Sequence, residues 1–532
     1  MKRAALAGAV CAGLALSIWG ADLHPSLDLR ALGQFARGLF PPDLSPPFLR
    51  TVAVACVRTL AVAVAGTALA VALGLPLAVL ATPALWRRGP LLSGESPGPA
   101  AALSFLAAGA ARFFRAVPDL VWAIFFVVGF GLGPLPGALA LGVNCAGVLA
   151  RVYADLLESV PPGPVLALHA SGASRMQVLA AAIAPQAAPS LVAYTLYAFE
   201  CNVRAAAVLG LVGAGGLGQE IGLSLRLLEY GQVTTLLAAT MALVLLTDAV
   251  SRFLRDGSRR RRVPRALPWI GLAAALVLSF AGSGFFSAPP PGHMLRFVAQ
   301  LAPDLSPAFL ATALAPLRET VAISVLGTAL GLLLAAALAL PATSSLTLDD
   351  GDGASLAGRL AYGIARAVLA LLRSIPELVW ALLCILAFGV GAFAGALALG
   401  LHTGGVLGKL FAESLEDVPR GPAEELRARG ATRLQRLAWA MAPQARQTLS
   451  SYALLRWETN LRLSTVVGLV GGGGLGLALY NDVQLGFYPR ASSLVLIIYL
   501  LVTFTDGLAD RLRGAPASTP APASALELVS AR

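Results

Sequence analysis

Three polar residues recur in two apolar stretches, each long enough to cross a membrane. They are Glu200, Asn202 and Arg204 in one stretch, and Glu458, Asn460 and Arg462 in the other. In each set the glutamate precedes the arginine by four residues, so the two share a helix face and can form an ion pair. Charged side chains inside a membrane normally face a bundle interior or a water-filled path. The six residues are therefore candidates for a substrate pathway or a gate.

Arginine suits phosphate-like oxygens because its planar guanidinium can donate two parallel hydrogen bonds. One arginine from each stretch could meet an anion near an axis that relates the two stretches. The alternative is that each arginine only neutralises its own glutamate and fixes helix packing. The residue types do not decide between these two roles.

A glycine-rich segment follows each set, at 210–218 and 468–476. It is not a nucleotide-binding loop, because no Gly-Lys-Ser/Thr follows it. The sequence predicts instead that these glycines let helices pack closely or bend at a broken helix. No site for ATP hydrolysis, no bound cofactor and no metal site is predicted, since the four histidines and five cysteines form no ligand cluster.

A second constellation lies upstream of each polar set. Gly172 precedes Pro185 by the same spacing as Gly430 precedes Pro443, and Glu424 stands where the other stretch has Leu166. The pattern predicts two short helices that meet at a glycine, which allows a turn that a side chain would block. Such an element would lie on the inner surface of the membrane.

These motifs belong to an internal repeat with an offset of 258 residues, which also relates Arg115-Ala-Val-Pro-Asp-Leu-Val-Trp122 to Arg373-Ser-Ile-Pro-Glu-Leu-Val-Trp380. Nearer each copy's start, an Asp-Leu-Ser-Pro segment recurs at 261. We expect a first domain over residues 1–258, a second over 259–513, and a disordered Pro/Ala/Ser-rich tail over 514–532. Asp248 and Asp506 also recur 258 apart; we expect them near the inner surface, with no role in transport.

The composition indicates a polytopic membrane protein. Hydrophobic residues make up 57% of the chain, charged residues only 13%, and the mean hydropathy is +0.77; soluble domains carry about 25% charged residues. Runs of about 20 apolar residues predict twelve spans, six in each copy. The first copy's are 4–20, 50–81, 116–134, 137–155, 186–210 and 231–252; the second copy's are 267–286, 312–341, 374–391, 394–412, 444–469 and 491–511.

The net charge of +11 comes almost wholly from arginine. The arginines cluster in alternate loops, which the positive-inside rule places in the cytoplasm together with both termini. An even number of spans per copy makes the two repeats parallel. We read residues 4–20 as a retained anchor helix, because the equivalent run of the second copy lies in the middle of the chain.

The loops around Gly172 and Gly430 resemble those of type I ABC importer permeases, where a Glu-Ala-Ala…Gly pattern ends at a proline. The resemblance covers nearly the whole chain, twice, and implies an all-α MetI-like permease fold. It implies that residues 158–186 and 416–444 are coupling loops, which contact the ATPase subunits through Gly172, Pro185, Glu424, Gly430 and Pro443. Leu166, in place of a glutamate, departs from the pattern and leaves the equality of the two contacts open.

Phe199-Glu-Cys-Asn-Val-Arg204 and the glycine-rich segment after it resemble the phosphonate importer permeases in particular. Phosphite and related oxyanion importers have similar permeases. The resemblance implies two partner ATPases, a periplasmic binding protein and a place in the bacterial inner membrane. A secondary transporter, and less so an intramembrane enzyme, are the alternatives; the former would not need the coupling loops, and the latter would need a catalytic constellation that the sequence lacks.

Overall fold

The computed structural model is helical throughout the part of the chain that it describes. It describes residues 33, 37–38, 40–82, 85, 99–259, 297–348 and 355–513. Residues 37–300 fall in one compact unit and residues 301–513 in another. We call them the first unit and the second unit.

The first unit contains nine α-helices and two irregular turns within these described residues. They are α1 Pro46–Ala81, α2 Pro99–Ala116, α3 Asp119–Phe130, α4 Pro134–Glu158, α5 Pro162–Ala170, α6 Arg175–Val178, a π-turn Leu179–Ile183, α7 Ala184–Leu209, a 3-10 turn Gly210–Val212, α8 Leu217–Arg226 and α9 Tyr230–Arg259. Helix α1 lies along α4, and α2 and α7 flank the pair.

The second unit repeats this order, and a short helix, α11, follows its long first helix. Its elements are α10 Pro307–Ala342, α11 Ser344–Thr347, α12 Leu356–Ser374, α13 Glu377–Phe388, α14 Ala392–Glu416, α15 Gly421–Ala428, α16 Arg433–Arg436, a π-turn Leu437–Met441, α17 Ala442–Val467, a π-turn Gly468–Gly472, α18 Gly474–Gln484 and α19 Tyr488–Arg513. Helix α10 lies along α14, as α1 lies along α4.

Ten of the twelve predicted spans fall within the described residues. By length and apolar composition they correspond to seven helices that could each cross a membrane and three bent helix pairs that could each form one crossing. The predicted spans 4–20 and 267–286, and the tail 514–532, lie outside the described residues.

The third span of each copy was predicted wrongly as one helix. Instead of 116–134 the first unit has α2 and α3, bent by 90°, and instead of 374–391 the second unit has α12 and α13, bent by 93°. The break precedes Pro118 and Pro376, because a proline ring disfavours the helical conformation of the residue before it. With 12 residues each, α3 and α13 are about 18 Å long, too short to cross the membrane's hydrocarbon core, about 30 Å thick, alone.

Side chains from neighbouring helices satisfy the carbonyl groups at these bends. Asn144 of α4 donates to the Val117 carbonyl at 2.7 Å, and His402 of α14 lies 3.1 Å from the carbonyl of Ile375. Trp122 donates back to α2 across the bend, at 3.4 Å. Buried carbonyl groups need such partners where no water can reach them. These contacts therefore stabilise the bend in both units.

A short extended segment leads into the first long helix of each unit and is held in the same way twice. Asp43 accepts a hydrogen bond from the Ser45 amide at 2.9 Å, and Asp304 accepts one from the Ser306 amide at 3.0 Å. Each bond favours the ionised carboxylate, so it lowers the pKa of that aspartate below its ordinary value.

Candidate transport pathway and coupling loops

The second polar set forms an ion-pair cluster between α17 and α19. The Arg462 guanidinium lies 3.0 Å from the Glu458 carboxylate and 3.3 Å from that of Asp506. The three side chains are 24%, 12% and 18% exposed, in that order. The predicted pairing of Glu458 with Arg462 is confirmed, and Arg462 is also within ion-pair distance of a second carboxylate, that of Asp506.

The same three positions in the first unit are Glu200, Arg204 and Asp248. Glu200 is buried, with 6% of its surface exposed, and Arg204 is half-buried. Each of the three takes part in a polar or electrostatic interaction. Asp248 and Asp506 were expected to have no role in transport, and that stays a prediction. Their repeat at 258 residues was visible in the sequence, and in the second unit the structure places Asp506 beside Arg462.

The two asparagines join helices to one another. Asn202 donates to the Thr67 hydroxyl of α1 at 2.9 Å, and Asn460 donates to the Thr328 hydroxyl of α10, also at 2.9 Å. Asn460 also accepts a bond from the Thr403 hydroxyl at 3.0 Å. Both asparagines are buried. Their amides therefore hold long helices together, and a role in a substrate pathway stays a prediction.

The glycine-rich segments break the helix that carries each polar set, as the sequence predicted. Gly213 has φ +105° and Gly471 has φ +109°, in the left-handed region that favours glycine. The Gly213 carbonyl accepts a hydrogen bond from the Gly133 amide at 3.0 Å, and Gly471 accepts the equivalent bond from Gly391 at 3.0 Å. The break is thus tied to the loop between α3 and α4, or between α13 and α14.

The short helix after each break is anchored by a threonine of the long helix. The Leu217 amide at the start of α8 donates to the Thr59 hydroxyl at 2.9 Å, and the Leu475 amide of α18 donates to Thr320 at 2.8 Å. In the second unit a carboxylate joins the threonine, since Glu319 accepts from the Gly474 amide at 2.9 Å. These threonines recur 261 residues apart, which the sequence could have revealed.

The first coupling loop turns at its glycine, as predicted. Gly172 has φ +84°, its amide donates to the His169 carbonyl at 2.9 Å, and the next amide, of Ala173, donates to Leu168 at 3.2 Å. This pair of bonds is a Schellman motif, which ends a helix with a left-handed residue. The second coupling loop has the same motif around Gly430, at φ +82°.

The helix that follows each turn begins with a capping box. Ser174 and Gln177 exchange side-chain and backbone hydrogen bonds in the first unit, and Thr432 and Gln435 do so in the second. Pro185 and Pro443 follow a π-turn at the start of α7 and α17. Proline lacks the amide that an α-helix needs at this point, so the wider turn accommodates it within a continuous helix.

The outward surfaces of the two coupling loops differ. Glu424 is exposed on α15, where Arg429 also pairs with Glu425 at 3.1 Å on the open surface. Leu166, at the position of Glu424, is 49% exposed on α5, a helix without acidic residues. The two loops therefore share a backbone but present different chemistry to whatever binds them.

Nothing in the geometry so far requires a metal ion. Within the described ranges, no group of three His, Cys, Asp or Glu side chains comes together in a way that could hold one. The polar groups that come together are an arginine–carboxylate cluster, buried amides and two surface loops.

Residues 98–264 and 353–514 match the family model of the binding-protein-dependent transport system inner membrane component. There is one match in each copy, and together they cover more than half of the chain. The chain belongs to this family. It is a tandem permease, with two permease copies in one polypeptide, and it is a multi-pass protein of the inner membrane. The family favours an importer over the secondary transporter and the intramembrane enzyme.

Several proteins are similar to this tandem permease. A phosphate-import permease protein of Mycolicibacterium smegmatis is 31% identical over 512 residues, which cover 94% of this chain and 92% of that protein. A phosphite transport system permease protein of Stutzerimonas stutzeri is 38% identical over 198 residues, 37% of this chain and 69% of that protein. An inward-facing crystal form of the MetNI methionine ABC transporter covers 39% of this chain and 98% of its own at 21% identity, with a TM-score of 0.35.

Proposed function

We propose that this tandem permease translocates a phosphonate or a related phosphorus oxyanion across the inner membrane, driven by partner ATPases. The observation that carries the proposal is the relative from Mycolicibacterium smegmatis, a phosphate-import permease that aligns over 94% of this chain. The phosphite permease similar to part of the chain supports the same class of substrate. Phosphite and phosphate are therefore the second candidates.

In this proposal the chain supplies both permease halves and binds no cofactor itself. Two ATPase subunits dock on the coupling loops, one on each, and use the ATP. Support for two docking sites comes from the repeated turn around Gly172 and Gly430. A periplasmic binding protein delivers the anion, and both termini face the cytoplasm. Closure of the ATPases moves the loops and exposes the pathway alternately to the two sides.

The test is uptake of a radiolabelled aminoalkylphosphonate by a deletion strain, with and without this gene, in competition with unlabelled phosphonate, phosphite and phosphate. We expect gene-dependent uptake that vanadate, an ATPase inhibitor, reduces, because in this proposal partner ATPases drive transport. If unlabelled phosphonates compete most strongly, a phosphonate is the substrate. If phosphite or phosphate competes most strongly, that anion is the substrate instead. Uptake that none of the three anions reduces, or that persists in vanadate, would refute the proposal.

A double variant tests the arginines predicted from the sequence. If Arg204 and Arg462 contact the substrate, changing both to Gln abolishes uptake while the chain still assembles with its ATPases. If they act only on their own carboxylates, uptake of the assembled variant stays near the wild-type rate. Assembly is measured by copurification of the ATPase, which separates loss of transport from loss of folding.

A further inference from the structure

A cavity of about 340 Å³ opens in the first unit between α1 and the start of α8. Its volume lies in the range of small-molecule pockets, about 300–1,000 Å³. The residues that line it are Arg50, Thr51, Val54, Ala55, Arg58, Gly216 and Glu220. None of them belongs to the polar sets or the coupling loops.

The cavity carries more positive than negative charge. Arg50 and Arg58 are eight residues apart on α1, and both line the cavity. Neither arginine has an ion pair or a side-chain hydrogen bond with any described residue, and neither is among those with a further interaction. One carboxylate, that of Glu220, lines the same cavity. Two arginines against one glutamate leave a net charge of +1.

The second unit shows what can occupy the equivalent place. Thr320 binds the start of α18 as Thr59 binds the start of α8, so the two helix junctions correspond. The residue before Thr320 is Glu319, and its carboxylate accepts a hydrogen bond from the Gly474 amide at 2.9 Å. The second unit therefore places an oxyanion of its own against the junction.

The first unit has an arginine at that position. Arg58 corresponds to Glu319, and Gly216 corresponds to Gly474. The second unit also has alanines, Ala311 and Ala478, where the first unit has Arg50 and Glu220. The carboxylate of one unit is thus replaced in the other by a cavity whose two guanidinium groups have no ion pair among the described residues.

We propose that this cavity binds a phosphorus oxyanion, with Arg50 and Arg58 as its ligands. A tetrahedral oxyanion offers several acceptor oxygens, which match the forked donors of two arginines. The cavity lies in the first four turns of α1, at the outer end of that helix in the proposed topology, where a delivered anion would arrive. The identification of the ligand with the transported substrate rests on the proposed function; binding itself does not.

Two sources supply this chemistry, namely a free phosphonate or phosphate and the headgroup of an anionic lipid. To separate them, the purified full chain is placed in nanodiscs of phosphatidylcholine alone. Binding of methylphosphonate and of inorganic phosphate is followed by ligand-observed NMR. Lipids retained from the cell membrane are identified separately by native mass spectrometry.

We expect R50Q and R58Q each to weaken binding of the free anion about tenfold, because each removes a charge-assisted hydrogen-bond donor. R58E introduces the residue that the second unit already holds at this position, and should abolish binding. E220Q removes the negative charge and should tighten binding. R490Q is the control, because exposed Arg490 stands over the Phe487 ring near the start of α19 in the second unit; it should bind as the wild type does.

If the free anions bind and R58E abolishes that binding, the proposal is supported with a soluble ligand. If the free anions do not bind, but anionic lipid is retained and R58E abolishes that retention, the proposal is supported with a lipid headgroup. Equal binding by wild type, R50Q and R58E, or no binding by any of them in either assay, overturns it. The uptake assay tests the proposed function separately from the binding assays. If uptake does not depend on this gene, the binding results still stand. If uptake is normal but the cavity binds neither anion nor lipid, the proposal for the cavity is still wrong.

Discussion

Replacement of Arg462 by Gln should destabilise the permease more than replacement of an exposed arginine does. Arg462 lies 3.0 Å from Glu458 and 3.3 Å from Asp506, and the three side chains are only 12–24% exposed. Without the guanidinium, both carboxylates lose this partner in a place with little access to water. Removing one partner of a fully buried ion pair costs about 3–5 kcal/mol. Because some water reaches this cluster, we expect a loss of about 2–3 kcal/mol in the free energy of unfolding.

The measurement is unfolding of the full chain in mixed micelles by sodium dodecyl sulfate, followed by near-ultraviolet circular dichroism. The control is R151Q, because Arg151 also pairs with an acidic residue four positions on, Asp155, at 3.1 Å, but is 65% exposed. An exposed pair of this kind contributes about 0–1 kcal/mol. The triple variant E458Q/R462Q/D506N removes all three charges and should recover most of the stability lost by R462Q.

Two results would refute this reasoning. If R462Q loses no more stability than R151Q, water compensates the two carboxylates and the cluster is not a structural unit. If the triple variant is as unstable as R462Q, the arginine stabilises the helices by packing and not by neutralising charge.

Two further predictions concern the backbone turn and the buried amides. G430A places a side chain at φ +82°, which costs about 1–2 kcal/mol for a non-glycine residue, so we expect weaker copurification of the ATPase. G421A is the control, because Gly421 lies in the same loop without a positive φ and with room for a Cβ, and it should have no such effect. N460A removes two hydrogen bonds between helices and N202A one such bond to Thr67. Since each such bond contributes about 0.6 kcal/mol on average in a membrane protein, N460A should lower the free energy of unfolding in the same micelles by more than N202A does, and equal losses would contradict the assignment.

The sequence predicted the helical repeat and its turns because local signals determine them. Long apolar runs indicate spans, and a glycine at a fixed distance from a proline indicates the turn of a coupling loop. The bend before Pro118 was missed although its cause, a proline inside an apolar run, is also local. The run continued on both sides of the proline, so hydropathy alone read it as one helix.

The partners of the charged residues could not be predicted in the same way. The pairing of Glu458 with Arg462 follows from their spacing on one helix, but Asp506 comes from another helix 44 residues later in the chain. Only the packing of α17 against α19 brings them together. The sequence shows which charged residues lie in an apolar region. The packing of the helices determines which of them form ion pairs.

This distinction changes where an anion is expected to bind. Arg462 was a candidate for substrate contact because it is a charged residue in a predicted membrane span, yet in the fold it lies within ion-pair distance of two carboxylates. Arg50 and Arg58 lie at the start of the predicted span 50–81 and were not singled out from the sequence, yet neither forms an ion pair within the described residues beside the cavity. If two identical subunits formed a permease, both would carry the same junction. A fused chain can fill the junction with Glu319 in one unit and leave it open to a ligand in the other, so the positions at which the copies differ are the ones to test for asymmetric function.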